Sequence, residues 1–355
     1  MNSVFELALS FDDVLLKPRY SPLSSRSEVD LTTKISDKLT LTNPLIPTNM
    51  DTVTGVKMAI RAAELGSMAI IPRFETVLEQ AKKVETVAEK VKVVAASVGV
   101  KEIELERAEV LVKAGVTVLD IDAAHGHLQK VLDTTKILKQ KYGSKVTILA
   151  GIAATYEAAC DLYKAGADCV TVGVGGGSIC TTRTQTGCGL PTFASLLEVS
   201  KAAKKYNKTF MPLAGIKNSG DAVKSLATGA CAVRGGNLFA GALETPGDLV
   251  TIRGAQYKHY NGSTSFLEKT KQVKKDSKGK TKEYTIHIEG VAGLVKYKGT
   301  LDEIFNNQLA GIKSGLSYCG AKNLKELVKN AQFVQISGAG ITENRPHDLA
   351  SFSKN

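Results

Sequence analysis

The sequence predicts an α/β fold, a (β/α)8 barrel, and three observations carry that expectation. Short β-branched runs recur at intervals of about two dozen residues, and stretches with helical spacing separate them. The runs are apolar almost throughout, as in a parallel sheet buried on both faces. There are eight of them, the count that closes such a sheet into a barrel. An open doubly wound sheet is the rival, but no GxGxxG opens the first βα unit.

In chain order the strands read PLIPTN (44–49), SMAIIPR (67–73), VKVVAASVG (91–99) and VTVLDIDA (116–123). KVTILAG (145–151), DCVTVGV (168–174), KTFMPLAG (208–215) and GACAVRGG (229–236) follow. TVLEQAKKVETVAEKV and EIELERAEVLVKAG have helical spacing between them. In the second, Ile103, Leu105, Val110, Leu111 and Val112 gather toward one face, and Gly115 can close the helix. The chain is therefore expected to be one barrel domain over 1–355, with strands at about 44–236 and no inserted regulatory domain. Segments before 40 and after 240 are read as decoration, including a Lys-rich flap at about 262–296.

Composition narrows the class. The 355 residues are 43% hydrophobic and 23% charged, as in an ordinary globular protein. No apolar run approaches the roughly 18 residues of a membrane span. The start, MNSVFELALSFDD, lacks the basic and apolar segments of a signal peptide. A cytoplasmic protein with no membrane partner is expected. Six cysteines without a CxxC argue against structural zinc and a disulfide framework. The net charge is +11, but the densest Lys cluster, Glu268 to Tyr284, has almost no aromatic residues. It reads as a solvated loop, and no nucleic-acid partner is expected.

Barrel active sites lie on the loops after the strands' C-terminal ends. The seventh and eighth strands end in Gly215 and in Gly235-Gly236-Asn237, where backbone N–H groups suit a phosphate. After the sixth strand comes GVGGGSICTTRTQTGCG (173–189). A cysteine after such a turn is exposed, and surrounding N–H groups favour its thiolate, so Cys180 is the candidate nucleophile. The glycines are read as room for a ligand. Cys160, Cys169 and Cys231 lie in helix or strand patterns and read as small buried hydrophobes.

GGGSICTTRTQTGCG, LTNPLIPTNMDTVT, LSFDDVLLKP, IDAAHGH and YKGTLDEIFNNQLAGIKSGLSYCGAKNLKEL resemble the IMP dehydrogenase and GMP reductase family, over nearly the whole chain. The resemblance implies a (β/α)8 barrel, usually a homotetramer, that works at C2 of a purine nucleoside monophosphate. It implies a covalent Cys–C2 bond and hydride exchange with NADPH or NAD. By position, Cys180 is the nucleophile and Thr182 assists proton transfer, with Glu289 as its partner. Ser178, Gly215, Gly236 and Asn237 lie at the 5′-phosphate, Asn49 and Met50 border the base, and Gly290 contacts substrate. Asp122 faces the nicotinamide ribose. The carbonyls of Gly175, Gly177 and Cys180 resemble a monovalent-cation loop and suit a hard ion such as potassium.

Within the family, the dehydrogenases' mobile flap carries an Arg-Tyr pair that activates water. Here the equivalent stretch is KDSK (275–278), which has neither. Strand two also leads through one short helix to strand three, without the inserted regulatory pair usual in dehydrogenases. SSRSEVDL, IPRF and ASVGVKE resemble reductases, whereas SGLSYCGAKN and QISGAGITENRPHDL resemble a dehydrogenase tail. Reductase is therefore the first expectation and dehydrogenase the second. A member with altered sugar specificity, or a non-catalytic nucleotide-binding protein, is the third. The third rests on two departures: Leu213 replaces the Asp that holds both ribose hydroxyls, and Ile152 replaces an Asn after strand five. Asn218 or Asn237 is the candidate to replace the lost acceptor.

Overall fold

The computed structural model describes residues 5–268, 288–344 and 346. All eight expected strands form: β1 Leu45–Pro47, β2 Ile70–Ile71, β3 Ala95–Val98, β4 Val118–Ile121, β5 Thr147–Ala153, β6 Cys169–Val172, β7 Thr209–Pro212 and β8 Val233–Gly235. From β2 to β7 each strand pairs in parallel with the next. β8 pairs in parallel with β1, Arg234 opposite Ile46. Single hydrogen bonds join the two remaining seams. Cys231 N–H donates to the Phe210 carbonyl at 2.8 Å, and Ser67 Oγ donates to the Leu45 carbonyl. The ring is closed, and the fold is a (β/α)8 barrel.

Strand periodicity of two divides the core into two layers. Ile46, Ile70, Ala95, Val118, Leu149, Cys169 and Met211 point inward and form one cluster. The N-terminal hairpin, Thr33–Ser36 with Leu39–Leu41, adds Ile35, Leu39 and Leu41 to that cluster and plugs the barrel's floor. The alternate residues, such as Leu45, Leu119, Ile121, Ile148 and Val170, pack against the helices.

The helices are α1 Val56–Glu64, α2 Val77–Ala88, α3 Ile103–Lys113, α4 Gln129–Tyr142, α5 Tyr156–Ala165, α6 Thr192–Tyr206, α7 Ser219–Ala227 and α8 Leu301–Tyr318. Local chemistry sets their ends. Thr76 and Glu79 form a capping box on α2, and Thr300 and Glu303 form one on α8. α8 corrects the reading of everything after 240 as decoration. It packs against α7 and α1, and Asp302 accepts from Arg61 of α1 at 2.7 Å. It is the eighth barrel helix. Between β8 and α8 lies a three-stranded antiparallel sheet, Val250–Ile252, Ala255–Asn261 and Ala292–Lys296. The flap expected at 262–296 therefore ends in a paired strand, and KDSK (275–278) lies outside the described residues.

In α3 the buried face differs from the one expected. Ile103 is exposed, while Glu104, Arg107, Ala108 and Leu111 are buried. An ion pair turns the helix: Glu104 accepts the Gly99 N–H at 2.6 Å and lies 3.1 Å from Arg107. Arg107 in turn donates to Gln80 of α2 at 2.8 Å. Paired charges can be buried, and a hydrophobic pattern alone does not show them. Among the described residues, no helix is long and apolar enough to cross a membrane.

Candidate active site

The C-terminal ends of the strands surround an open cavity of about 860 Å³, mouth included. The loop after β6 forms one wall. Gly175 lies in the left-handed region (φ +71°), and a Cβ there would sit 2.6 Å from Arg183 Cγ. Arg183 holds both arms of the loop, donating from Nε to the Val174 carbonyl (3.0 Å) and from Nη2 to the Leu190 carbonyl (2.5 Å). At Gly176 and Gly215 a Cβ would fall 2.4 and 2.7 Å from Thr192 Oγ1. Much of the glycine density thus makes room for the chain's own Arg183 and Thr192, where the sequence had suggested a ligand.

The loop carries Cys180, which is exposed and lines the cavity. The segment around Glu289 pairs with it like a short antiparallel strand. Thr181 N–H donates to the Glu289 carbonyl (2.9 Å), and Val291 N–H donates to the Ile179 carbonyl (3.0 Å). This pairing brings Glu289 beside Thr182 across 107 residues of sequence. Thr182 Oγ1 donates to Glu289 Oε2 at 2.7 Å and lies 3.1 Å from Cys180 Sγ. A thiol, a hydroxyl and a carboxylate therefore form one hydrogen-bonded chain, the arrangement an activated nucleophile requires. Cys160, Cys169 and Cys231 are buried, as their patterns indicated.

Asn49, Met50, Asp122, Gly236 and Gly290 all line the cavity, as do Leu213 and Ile152. Ser178, Gly215 and Asn237 are not part of its lining. Neither asparagine proposed as a substitute acceptor serves. Asn218 caps α7, accepting the Asp221 N–H at 2.9 Å, and Asn237 accepts from Lys298. The wall at Leu213 and Ile152 is apolar. Asp122 lies 3.3 Å from Arg73 Nε, so its carboxylate already has a cationic neighbour. In the loop after β6, the Gly177 carbonyl accepts the Cys180 N–H at 3.2 Å. The adjoining Val174 carbonyl accepts from Arg183 Nε at 3.0 Å. Among the described residues, no group of three His, Cys, Asp or Glu is placed to hold a metal.

Two features escaped the sequence reading. Tyr260, on strand Ala255–Asn261, is buried at the cavity wall, with its hydroxyl beside Ser178 and against Gly236. Burial pushes its phenol above the ordinary range, so the hydroxyl stays a neutral donor. Its signal was a tyrosine leading into small polar residues, YNGSTS. The second is a buried charged network below the cavity. Arg234 of β8 donates to both Asp120 oxygens, at 2.9 and 2.7 Å, from a side chain 1% exposed.

Residues 8–347 match the model of the IMP dehydrogenase / GMP reductase domain. The chain belongs to the IMP dehydrogenase/GMP reductase family. It is 31% identical to the inosine-5′-monophosphate dehydrogenase of Nitrosopumilus maritimus (strain SCM1), over 97% of this chain and 99% of that one. That alignment runs over 472 positions against 355 residues here, so this relative carries inserted residues that the chain lacks. The enzyme of the same name from Borreliella burgdorferi is 33% identical, over 99% of this chain and all of the relative. The one from Chlorobaculum parvum is 42% identical over 72% of this chain and 52% of the relative. Like other members of the family, the protein is an oxidoreductase of purine metabolism.

Proposed function

We propose that the protein is a GMP reductase, converting GMP and NADPH to IMP and ammonia through a covalent adduct of Cys180 at C2 of the base. The alignment of Cys180 Sγ, Thr182 Oγ1 and Glu289 Oε2 carries this reading. The Cys180 thiolate adds to C2. The 2-amino group leaves as ammonia, taking one proton relayed through Thr182 from the Glu289 side. The nicotinamide, when bound, supplies the hydride to C2. The thiolate then departs, so one proton and one hydride are consumed for each ammonia released. Tyr260 and Ser178 would hold the 5′-phosphate as neutral donors, with Gly236 leaving the backbone open beside them. Asp122 would accept from the nicotinamide ribose. The carbonyls of Gly175, Gly177 and Cys180 would hold a potassium ion, for which their oxygens are suited.

The names of the relatives favour a second reading, an IMP dehydrogenase that oxidises IMP with NAD. Against it stands KDSK (275–278), which offers neither the Arg nor the Tyr that would activate water. In either direction, the Leu213 and Ile152 wall supports altered sugar recognition. The deciding experiment incubates the protein with GMP and NADPH, and separately with IMP and NAD, following absorbance of the reduced nicotinamide. Reduction of GMP without oxidation of IMP is the expected result. Robust IMP oxidation would reverse the reading.

A further inference from the structure

We infer that Arg234 is a positioning residue that makes Asn49 a hydrogen-bond donor, and never an acceptor, toward the nucleotide. The inference rests on the nucleotide reading above and adds a polarity to one wall of the site.

Asn49 is buried, and it meets the cavity beside Thr48 and Met50. Arg234 Nη2 lies 2.5 Å from Asn49 Oδ1, and Thr48 Oγ1 lies 3.2 Å from the same oxygen. A guanidinium has only donors, so the amide oxygen must be the atom that faces it. The Thr48 hydroxyl accepts from Arg234 Nε at 3.0 Å, which leaves its proton for Asn49 Oδ1. That oxygen therefore receives two donors from below. Asn49 Nδ2 has no partner among the described residues and is the part of the amide left for the cavity.

Arg234 cannot swing away, because Asp120 grips it through two parallel hydrogen bonds inside the barrel. Three side chains from three strands, Thr48, Asp120 and Arg234, thus fix one amide. The consequence is chemical. Leu213 and Ile152 contribute no polar group, and Asn49 contributes N–H donors. The matching substrate presents an oxygen or ring-nitrogen acceptor at that point, and a group that can only donate is rejected.

Calorimetric titration of GMP and IMP, with steady-state kinetics, tests the inference on the full chain. Asp120→Leu/Arg234→Met replaces the buried pair by apolar side chains, an exchange that buried ion pairs commonly tolerate. It frees the Asn49 amide to rotate. The melting temperature should persist, affinity should fall roughly 3- to 10-fold, and KM should rise in step while kcat holds. A purely structural role would lower the melting temperature and kcat together. Asn49→Asp, which puts an acceptor on the cavity side, should weaken binding by more than about tenfold. Undiminished affinity in a folded double variant overturns the inference. Should that variant fail to fold, undiminished affinity in Asn49→Asp overturns it equally. If the unaltered protein binds neither nucleotide, the nucleotide reading falls and takes the inference with it.

Discussion

Thr182→Val removes one hydroxyl and keeps the side chain's shape, so it isolates the proton relay from the packing around it. In the structure that hydroxyl links Cys180 Sγ, 3.1 Å away, to Glu289 Oε2, 2.7 Å away. Valine leaves Glu289 one hydrogen bond too far from any group attached to the sulfur. General acid–base catalysis typically contributes 10²- to 10⁴-fold. At about 1.36 kcal/mol per decade, the variant should raise the barrier by roughly 2.7–5.4 kcal/mol. Formation of the Cys180 adduct should persist, since the thiol is untouched. The assay is NADPH consumption with saturating GMP, with adduct formation followed after rapid mixing. Glu289→Gln should lose a comparable factor. The double variant should lose little more, because both residues act in one chain. A loss below about tenfold in Thr182→Val, or a double loss equal to the product of the singles, would refute the relay.

The other expectations concern the sugar, the loop and the frame. Because Leu213 and Ile152 face the cavity, 2′-deoxy-GMP should bind no worse than GMP. Leu213→Asp should favour the ribonucleotide by about tenfold or more in parallel titrations. Gly175→Ala forces a Cβ into the left-handed region and against Arg183 Cγ, a strain of about 1–2 kcal/mol before the contact is counted. Turnover should fall sharply with a melting temperature nearly unchanged, which paired calorimetry and kinetics will check. The Arg61 guanidinium holds the Asp302 carboxyl below the ordinary carboxylate range. Its stabilisation is present above the unfolded-state value of about 3.9 and is lost as pH falls through the lower folded value. Asp302→Asn should therefore flatten the acid limb of melting temperature against pH.

The eight strands were legible because each carries a short apolar run closed by a turn, and alternation then fixed which residues face inward. The eighth helix was hidden by its distance: an antiparallel sheet and more than sixty residues separate α8 from β8. The α3 face was misread because Glu104 and Arg107 are buried as a pair, which a hydrophobic pattern cannot express. At the site, Cys180 stood out by its glycines, yet those glycines serve Arg183 and Thr192 as much as any ligand. Glu289 was reachable only through family resemblance, since nothing local marks a residue that acts across 107 positions. Asp120 and Arg234 did leave a trace: each is a charge at an inward position of a barrel strand. Such a charge requires a partner, but a single sequence does not say which.

The central claim is that Cys180 bonds covalently to the purine during turnover. Intact-protein and peptide mass spectrometry after rapid acid quenching tests it most directly, with GMP and NADPH or IMP and NAD as substrates. A mass increase on the peptide containing Cys180, absent from Cys180→Ala, which neither turns over nor unfolds, is the predicted result. Turnover by Cys180→Ala at the rate of the unaltered protein, with no adduct on any cysteine, would contradict the account.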